Sequence, residues 1–277
     1  MTQTNIPAAG RRFWKMSGSG NDFVFFDARS EPAGALAEPG AIGRMCARAT
    51  GIGADGVVFL QPDATEAFRI RYFNRDGSLG ELCGNASLCT TRLARELGIV
   101  QAESFRFATD AGAISARFVG SEPEIDLQPV SELRLEAGIE LASGEKRMGF
   151  ANTGVPHLVV LVGDTSSVDV VGRGQPLRWH PSLAAGANVN FVAADSGGHW
   201  KMRTYERGVE GETLACGTGA VATAVLLRAW GLSGAETALE TRSGGVLTVT
   251  LRDADGAIKP SLRGEGRIVF TGELGEG

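Results

Sequence analysis

The segment Cys83-Gly-Asn-Ala86 returns as Cys216-Gly-Thr-Gly219, 133 residues further on. Two other glycine-anchored segments repeat at nearly the same distance. Gly20-Asn-Asp-Phe-Val-Phe-Phe26 matches Gly154-Val-Pro-His-Leu-Val-Val160 at an offset of 134. Gly51, ahead of Gly56-Val-Val-Phe59, pairs loosely with Gly186, ahead of Asn188-Val-Asn-Phe191, at 135. In the cysteine register Arg95 falls on Arg228 and Gly98 on Gly231, while Phe73-Asn-Arg75 faces Tyr205-Glu-Arg207 one residue out of step. Solenoid repeats run to about 20–50 residues, so one long period used twice means two similar domains. A chain of 277 residues accommodates them at roughly 150 residues each.

Each half follows the same plan. Short apolar or alternating stretches at 23–28, 56–60, 68–73, 105–109 and 114–118 predict strands, as do 158–162, 189–193, 202–206, 238–241 and 246–251. One long helix starts at the cysteine of each half. Ala86, Cys89, Leu93 and Leu97 fall at helical spacing and Gly98 suits a C-cap. The run 220–230 is apolar nearly all round, with Arg228 its only charge, so it must be buried on most faces. A curved, mostly antiparallel sheet around a central helix satisfies both halves. The fold class expected is therefore α+β with two pseudo-symmetric halves. Ser121-Glu-Pro123 marks the junction, giving a first domain of 1–121 and a second of 122–264. The last strand, 267–271, has no partner in the repeat count and is expected to return, within 265–277, to the first domain.

Composition narrows the function. Apolar residues make up 43% and charged residues 21%, which allows a packed core and excludes wholesale disorder. Twenty-seven basic against 32 acidic residues argue against nucleic acid as a partner. No apolar run approaches the roughly 18 residues of a membrane helix. Residues 1–15 carry no apolar signal core, so a cytoplasmic location is expected. The three histidines, His157, His180 and His199, show no His-x-x-x-His spacing, and Cys46, Cys83, Cys89 and Cys216 form no Cys-x-x-Cys, so no zinc site is expected. Only four lysines are present, none in a context suited to a pyridoxal-phosphate Schiff base. Gly51-Ile-Gly-Ala-Asp-Gly56 satisfies the dinucleotide pattern G-x-G-x-x-G, but that pattern must follow a strand and open a helix. Here 41–50 reads as helix and 57–60 as strand, so the order is reversed.

Cys83 and Cys216 each stand where a helix begins. The first amides of a helix lack internal partners and carry the positive end of its dipole. That environment favours a thiolate and also cradles a carboxylate. A pseudo-two-fold relation between the halves would bring both helix starts to one ligand. Two thiols on opposite sides then suit inversion at a carbon next to a carboxylate, one removing the proton and the other returning it. No cofactor is required. Cys46 and Cys89 sit inside apolar helical patterns and read as core residues.

These segments resemble the diaminopimelate epimerase family. The resemblance is carried by Gly18-Ser-Gly-Asn-Asp-Phe23, Gly51-Ile-Gly-Ala-Asp-Gly56, Tyr72-Phe-Asn-Arg-Asp-Gly77 and Glu81-Leu-Cys-Gly-Asn85. It continues through Gly154-Val-Pro-His157, Asn188-Val-Asn-Phe191, Tyr205-Glu-Arg-Gly208 and Glu212-Thr-Leu-Ala-Cys-Gly-Thr-Gly219. It implies two barrel-like halves, a homodimer, a small amino-acid substrate, and Cys83 and Cys216 as the acid/base pair. It implies that the backbone amides of Gly84, Asn85, Gly217 and Thr218 hold the reacting carboxylate. Asn21, Asn74, Asn188, Glu206 and Arg207 match substrate-contacting positions, with Arg207 suited to a distal carboxylate. Val155 replaces an asparagine that many relatives carry before Pro-His. Three alternatives stand beside this reading: a racemase of another amino acid on the same scaffold, a cysteine-nucleophile hydrolase using His157, and a binding module without catalysis.

Overall fold

A computed structural model describes residues 9–80 and 82–275; residues 1–8 of the N-terminal stretch and Glu81 of the cysteine motif lie outside it. The chain divides into two compact units, one running to Ile125 and resuming at Glu265, the other spanning Asp126–Gly264. The second unit thus begins four residues beyond the 122 expected, because Ser121-Glu-Pro123 leads from a turn into a strand and is not a linker.

The first unit contains β1 (Arg12–Gly18), β2 (Asn21–Asp27), β3 (Gly56–Gln61), β4 (Arg69–Asn74), β5 (Leu79–Gly80), β6 (Ser104–Thr109), β7 (Gly112–Val119) and most of β8 (Glu122–Asp126). The second contains β9 (Glu132–Arg134), β10 (Glu145–Asn152), β11 (Pro156–Val162), β12 (Asn188–Ala194), β13 (Trp200–Glu206), β14 (Gly211–Thr213), β15 (Glu236–Glu240), β16 (Val246–Ala254) and β17 (Ala257–Arg263). The last strand, β18 (Arg267–Glu273), pairs antiparallel with β1. Four helices punctuate the strands: α1 (Pro39–Cys46), α2 (Gly84–Glu96), α3 (Val170–Arg178) and α4 (Gly217–Ala229).

The pairing scheme repeats. In the first unit β1–β2 is antiparallel, β2–β3 parallel and β3–β4 antiparallel, and β4 shares its other edge between β5 and the parallel β6. In the second unit β10–β11, β11–β12, β12–β13, β13–β14 and β13–β15 reproduce these relations in order. A parallel pair needs a crossover rather than a hairpin; α1 supplies it between β2 and β3, and α3 between β11 and β12. The sequence pattern missed α3, since Gly172, Gly174 and Pro176 break any helical signal. It also missed β9, whose three residues are too short to read. β9 pairs with β10 as β18 pairs with β1, so the last strand does have a counterpart.

Each central helix is packed by its own sheet. α2 lies against β1, β2 and β18, and α4 against β10, β11, β12 and β15–β17. The halves are barrel-like in wrapping a helix, not in closure: among the described residues no pairing joins β8 to β18 or β17 to β9. The parallel strands carry buried side chains on both faces, as at Val57–Leu60 and Val189–Ala193. No helix among the described residues is long and apolar enough to cross a membrane.

Candidate active site

Cys83 is the N-cap of α2 and Cys216 the N-cap of α4. Their backbones agree closely, at φ −133° and ψ 118° for Cys83 against φ −141° and ψ 109° for Cys216. The first helical bonds run from Ser87 N–H to the Cys83 carbonyl and from Ala220 N–H to the Cys216 carbonyl, both at 2.9 Å. The amides of Gly84 and Asn85, and of Gly217 and Thr218, therefore precede the first turn and have no intrahelical partner. Both helices end alike. Gly98 and Gly231 take φ of +65° and +75°, and Ile99 and Leu232 donate back to Ala94 and Leu227 at 2.9 and 2.8 Å. Cys83 is half-buried, whereas Cys216, Cys46 and Cys89 are buried. Burial pushes the Cys46 thiol up to about 11 and raises that of Cys89 well above its usual value.

Around Cys216 a chain of polar groups runs into the core. The Cys216 Sγ lies 3.6 Å from Thr218 Oγ1. Thr218 Oγ1 is 3.0 Å from His157 Nε2, and His157 Nδ1 is 3.1 Å from Asn190 Nδ2. Asn190 Nδ2 also donates to the Leu158 carbonyl at 3.0 Å, and Thr204 Oγ1 donates to Asn190 Oδ1 at 2.9 Å. His157 and Asn190 have no solvent exposure. Burial, and then the charge of Arg207, lower His157 to about 3, so the ring is neutral. A Cβ at Gly219 would stand 2.3 Å from Asn190 Oδ1, so a larger residue would have to displace Asn190. His157 has Thr218 on one ring nitrogen and Asn190 on the other, an arrangement that does not suit the general base of a cysteine hydrolase.

Around Cys83 the support is ionic. Asn85 Nδ2 donates to Asn21 Oδ1 at 2.6 Å, and Asn21 Nδ2 donates to Asp55 Oδ2 at 3.0 Å. Arg48 grips Asp22 with both Nη atoms and reaches Asp55 Oδ1 at 2.6 Å. The buried Lys15 donates to Asp22 Oδ2 at 2.6 Å and to the Gly53 carbonyl. Burial raises Asp22, but hydrogen bonds from Arg48 and Lys15 outweigh it and hold the carboxyl below its usual range. The Gly51–Gly56 loop thus serves as a turn from α1 into β3, with Gly53 at φ +77°, and the helix-to-strand order is as read from the sequence. Asn85 is 2% exposed and its Oδ1 has no hydrogen-bond partner among the described residues. It still accepts, and so suits an ammonium donor. Gly18 passes beside this helix start, where a Cβ would lie 2.7 Å from the Asn85 carbonyl oxygen and 3.0 Å from Cys89 Sγ.

The remaining candidates fall at strand ends. Asn74 closes β4, half-buried, and donates from Nδ2 to Ser78 Oγ at 3.0 Å. Glu206 closes β13 and is half-buried, like Arg207 beside it. Asn188, 5% exposed, accepts from the Arg207 N–H at 2.8 Å and donates to the Pro156 carbonyl at 3.2 Å. Its carboxamide keeps one lone pair and one proton for a ligand. Arg207 Nη1 donates to the Ala185 carbonyl at 3.2 Å. Glu210 braces this turn by accepting from the Gly208 N–H at 3.0 Å and from Arg178 Nε at 3.2 Å. Sequence reasoning missed Asn190, Asp55 and Glu210. Asn190 lies two residues after Asn188, which puts both on one face of β12.

The sequence model of the diaminopimelate epimerase family matches residues 13–129 and 149–269. The diaminopimelate epimerase of Gemmatimonas aurantiaca is 52% identical over 95% of this chain and 98% of its own. That of Aquifex aeolicus is 42% identical over 95% and 98%. Among solved structures, a PhzF-family phenazine biosynthesis protein of Bacillus anthracis aligns with a TM-score of 0.74 at 17% identity, covering 95% of this chain and 98% of that one. A hydroxyproline epimerase of Agrobacterium vitis aligns at 0.66 and 19%, covering 99% and 94%. The latter two share the fold; the sequence matches go further, and the chain belongs to the diaminopimelate epimerase family.

Proposed function

We propose that this protein interconverts LL- and meso-diaminopimelate by moving an α-proton between Cys83 and Cys216, without a cofactor. One observation carries the reading: a member of this family holds two Cys-Gly helix starts of matching backbone, one in each unit. One sulfur, as thiolate, takes the α-proton from one face. The other, as thiol, returns a proton to the opposite face, and the roles exchange in the reverse direction. As the proton leaves, charge moves onto the neighbouring carboxylate. The amides of Gly84, Asn85, Gly217 and Thr218, at the positive ends of two helices, stabilise that charge. Asn85 Oδ1 suits the α-ammonium. Arg207 suits the distal carboxylate, with Asn21, Asn74, Asn188 and Glu206 for the remaining polar atoms. A homodimer in the cytoplasm completes the reading.

The test is incubation with LL-diaminopimelate in heavy water. Deuterium should enter the α-carbon as the epimer ratio moves to equilibrium. Exchange of proline or alanine with diaminopimelate inert would assign the protein to a different substrate. Absence of exchange in any amino acid would remove the racemase chemistry. Light scattering at known concentration tests the dimer.

A further inference from the structure

We propose that Asp55 is a positioning residue for substrate recognition: acting through Asn21, it turns the Asn85 carboxamide so that Oδ1 is left to accept from the substrate's α-ammonium. The inference rests on the amino-acid substrate proposed above.

The polarity of the chain is set at its outer end. Arg48 Nη2 donates to Asp55 Oδ1 at 2.6 Å, and the Asp22 amide, which can only donate, reaches Oδ2 at 3.3 Å. Both oxygens of Asp55 therefore accept. The Asn21 atom 3.0 Å from Oδ2 must then be its nitrogen. That turns Asn21 Oδ1 toward Asn85, so the atom meeting it at 2.6 Å is the Asn85 nitrogen. Asn85 Oδ1 is the end left over, and it has no hydrogen-bond partner among the described residues. Asn85 is the second residue of α2, so this acceptor belongs to the same turn as the free amides that suit a carboxylate. An α-amino acid carries a carboxylate and an ammonium on one carbon. This helix start offers donors for the first and an acceptor for the second. With the chain reversed, Asn85 would offer the ammonium a donor instead.

Asp55 is itself held from behind. Arg48 is fixed by both Nη atoms on Asp22, at 2.7 and 2.8 Å, and Asp22 also takes Lys15 at 2.6 Å. The second unit has none of these groups at the matching positions. Phe23 on Gly56 corresponds to His157 on Asn188, and Lys15 on Val24 to Phe150 on Leu158. Counting back along each strand, Val155, Pro156 and Ala187 stand where the first unit has Asn21, Asp22 and Asp55. The acceptor chain belongs to one half of the repeat only.

Steady-state turnover of LL-diaminopimelate by Asp55 variants tests the polarity. Asp55→Asn keeps the size of the side chain but holds one acceptor. The Arg48 charge, pinned by Asp22, claims it, and the new NH2 meets Asn21. Asn21 and then Asn85 turn round, and KM should rise about tenfold or more, the scale of one hydrogen bond to a charged group. The ammonium keeps its charge throughout the reaction, so its binding is uniform and kcat should stay within about threefold. Asp55→Leu imposes no polarity, so Asn85 turns either way and KM should rise only about twofold. A merely structural carboxylate would give the opposite order, with Asp55→Leu the more damaging. Asn85→Asp offers an oxygen whichever way it turns, so adding Asp55→Asn to it should cost no further affinity. Asp55→Leu as damaging as Asp55→Asn, or Asp55→Asn costing the same with and without Asn85→Asp, would overturn the proposal. So would a wild-type KM in Asp55→Asn. If Asp55→Leu does not fold, the comparison with and without Asn85→Asp decides. Wild-type turnover of diaminopimelate decides the epimerase reading; the order of the variants decides this one.

Discussion

His157 stands in the second unit where Phe23 stands in the first, each opening its parallel ladder and each at most 1% exposed. A titratable ring therefore occupies a position that its twin fills with hydrocarbon. Burial, then the Arg207 charge, take it from 6.5 to about 3. Between those values the unfolded chain binds a proton that the folded protein refuses, so stability rises with pH across that window. The contribution is complete above 6.5 and is lost progressively as pH falls toward 3. Urea unfolding from pH 7 to 4 should show a loss approaching 1.4 kcal/mol per pH unit from this ring. His157→Phe should flatten that slope; an unchanged slope would remove His157 as its source.

The four cysteines divide into two chemical kinds. Cys46 and Cys89 are buried thiols held protonated by their surroundings. Cys83 and Cys216 are the N-caps of α2 and α4, whose first amides have no intrahelical partner. Cys83→Ala and Cys216→Ala should each abolish epimerisation, while Cys46→Ala and Cys89→Ala retain most of it. Turnover near the wild-type rate in either of the first two ends the two-thiol mechanism.

Much of this arrangement is legible in the text of the chain. The 133-residue return of Cys-Gly locates both helices, since a cysteine before glycine and a glycine at the far end bracket an apolar run. The long-range parts are not legible. Asn190 reads as one polar residue in an apolar strand, and only the register of β11 on β12 sets it against His157. Lys15 and Asp22 lie seven residues apart, but their link to Arg48 and Asp55 exists only because α1 returns the chain onto β2. β9 escapes because three residues carry no period, and α3 because glycine and proline mask its periodicity.

Gly219 offers a sharp local test. An added methyl would stand 2.3 Å from Asn190 Oδ1 and 3.2 Å from Cys216 Sγ. Asn190 is pinned by Thr204 and Leu158 and cannot move without losing a hydrogen bond. Gly219→Ala should therefore fold but lose at least tenfold in kcat, about the effect of one misaligned catalytic hydrogen bond. Unaltered kcat would mean that the site tolerates displacement of Asn190.

Lys15 tests the ionic support of the other helix start. It is 7% exposed and bridges Asp22 and the Gly53 carbonyl. Lys15→Met fills the space but strips a half-buried carboxylate of one cation. The loss should be on the order of 3 kcal/mol in urea unfolding, with Arg48 keeping it from being larger. Asp22 is also held below its usual range by those partners. Its stabilising share is present above its unfolded value of about 3.8 and is lost as pH falls through the lower folded value. A Lys15→Met protein as stable as wild type would show that Arg48 alone satisfies Asp22.

The substrate reading proposed above is tested at Arg207. Its backbone N–H donates to Asn188 Oδ1, and one Nη of the guanidinium donates to the Ala185 carbonyl. A planar guanidinium fork can meet a carboxylate with two parallel hydrogen bonds. Removing the partner of a desolvated carboxylate costs on the order of 2–5 kcal/mol. Binding energy at the far end also positions the reacting carbon, so the loss should appear in kcat as well as KM. Arg207→Met should therefore lower kcat/KM for diaminopimelate by at least thirtyfold, with both constants affected. Arg207→Lys should recover only part, because a point charge cannot reproduce the fork. The wild-type protein should barely act on short monocarboxylic amino acids, which leave Arg207 unpaired. Efficient racemisation of proline or alanine, unaffected by Arg207→Met, would overturn the substrate while leaving the chemistry of the two thiols intact.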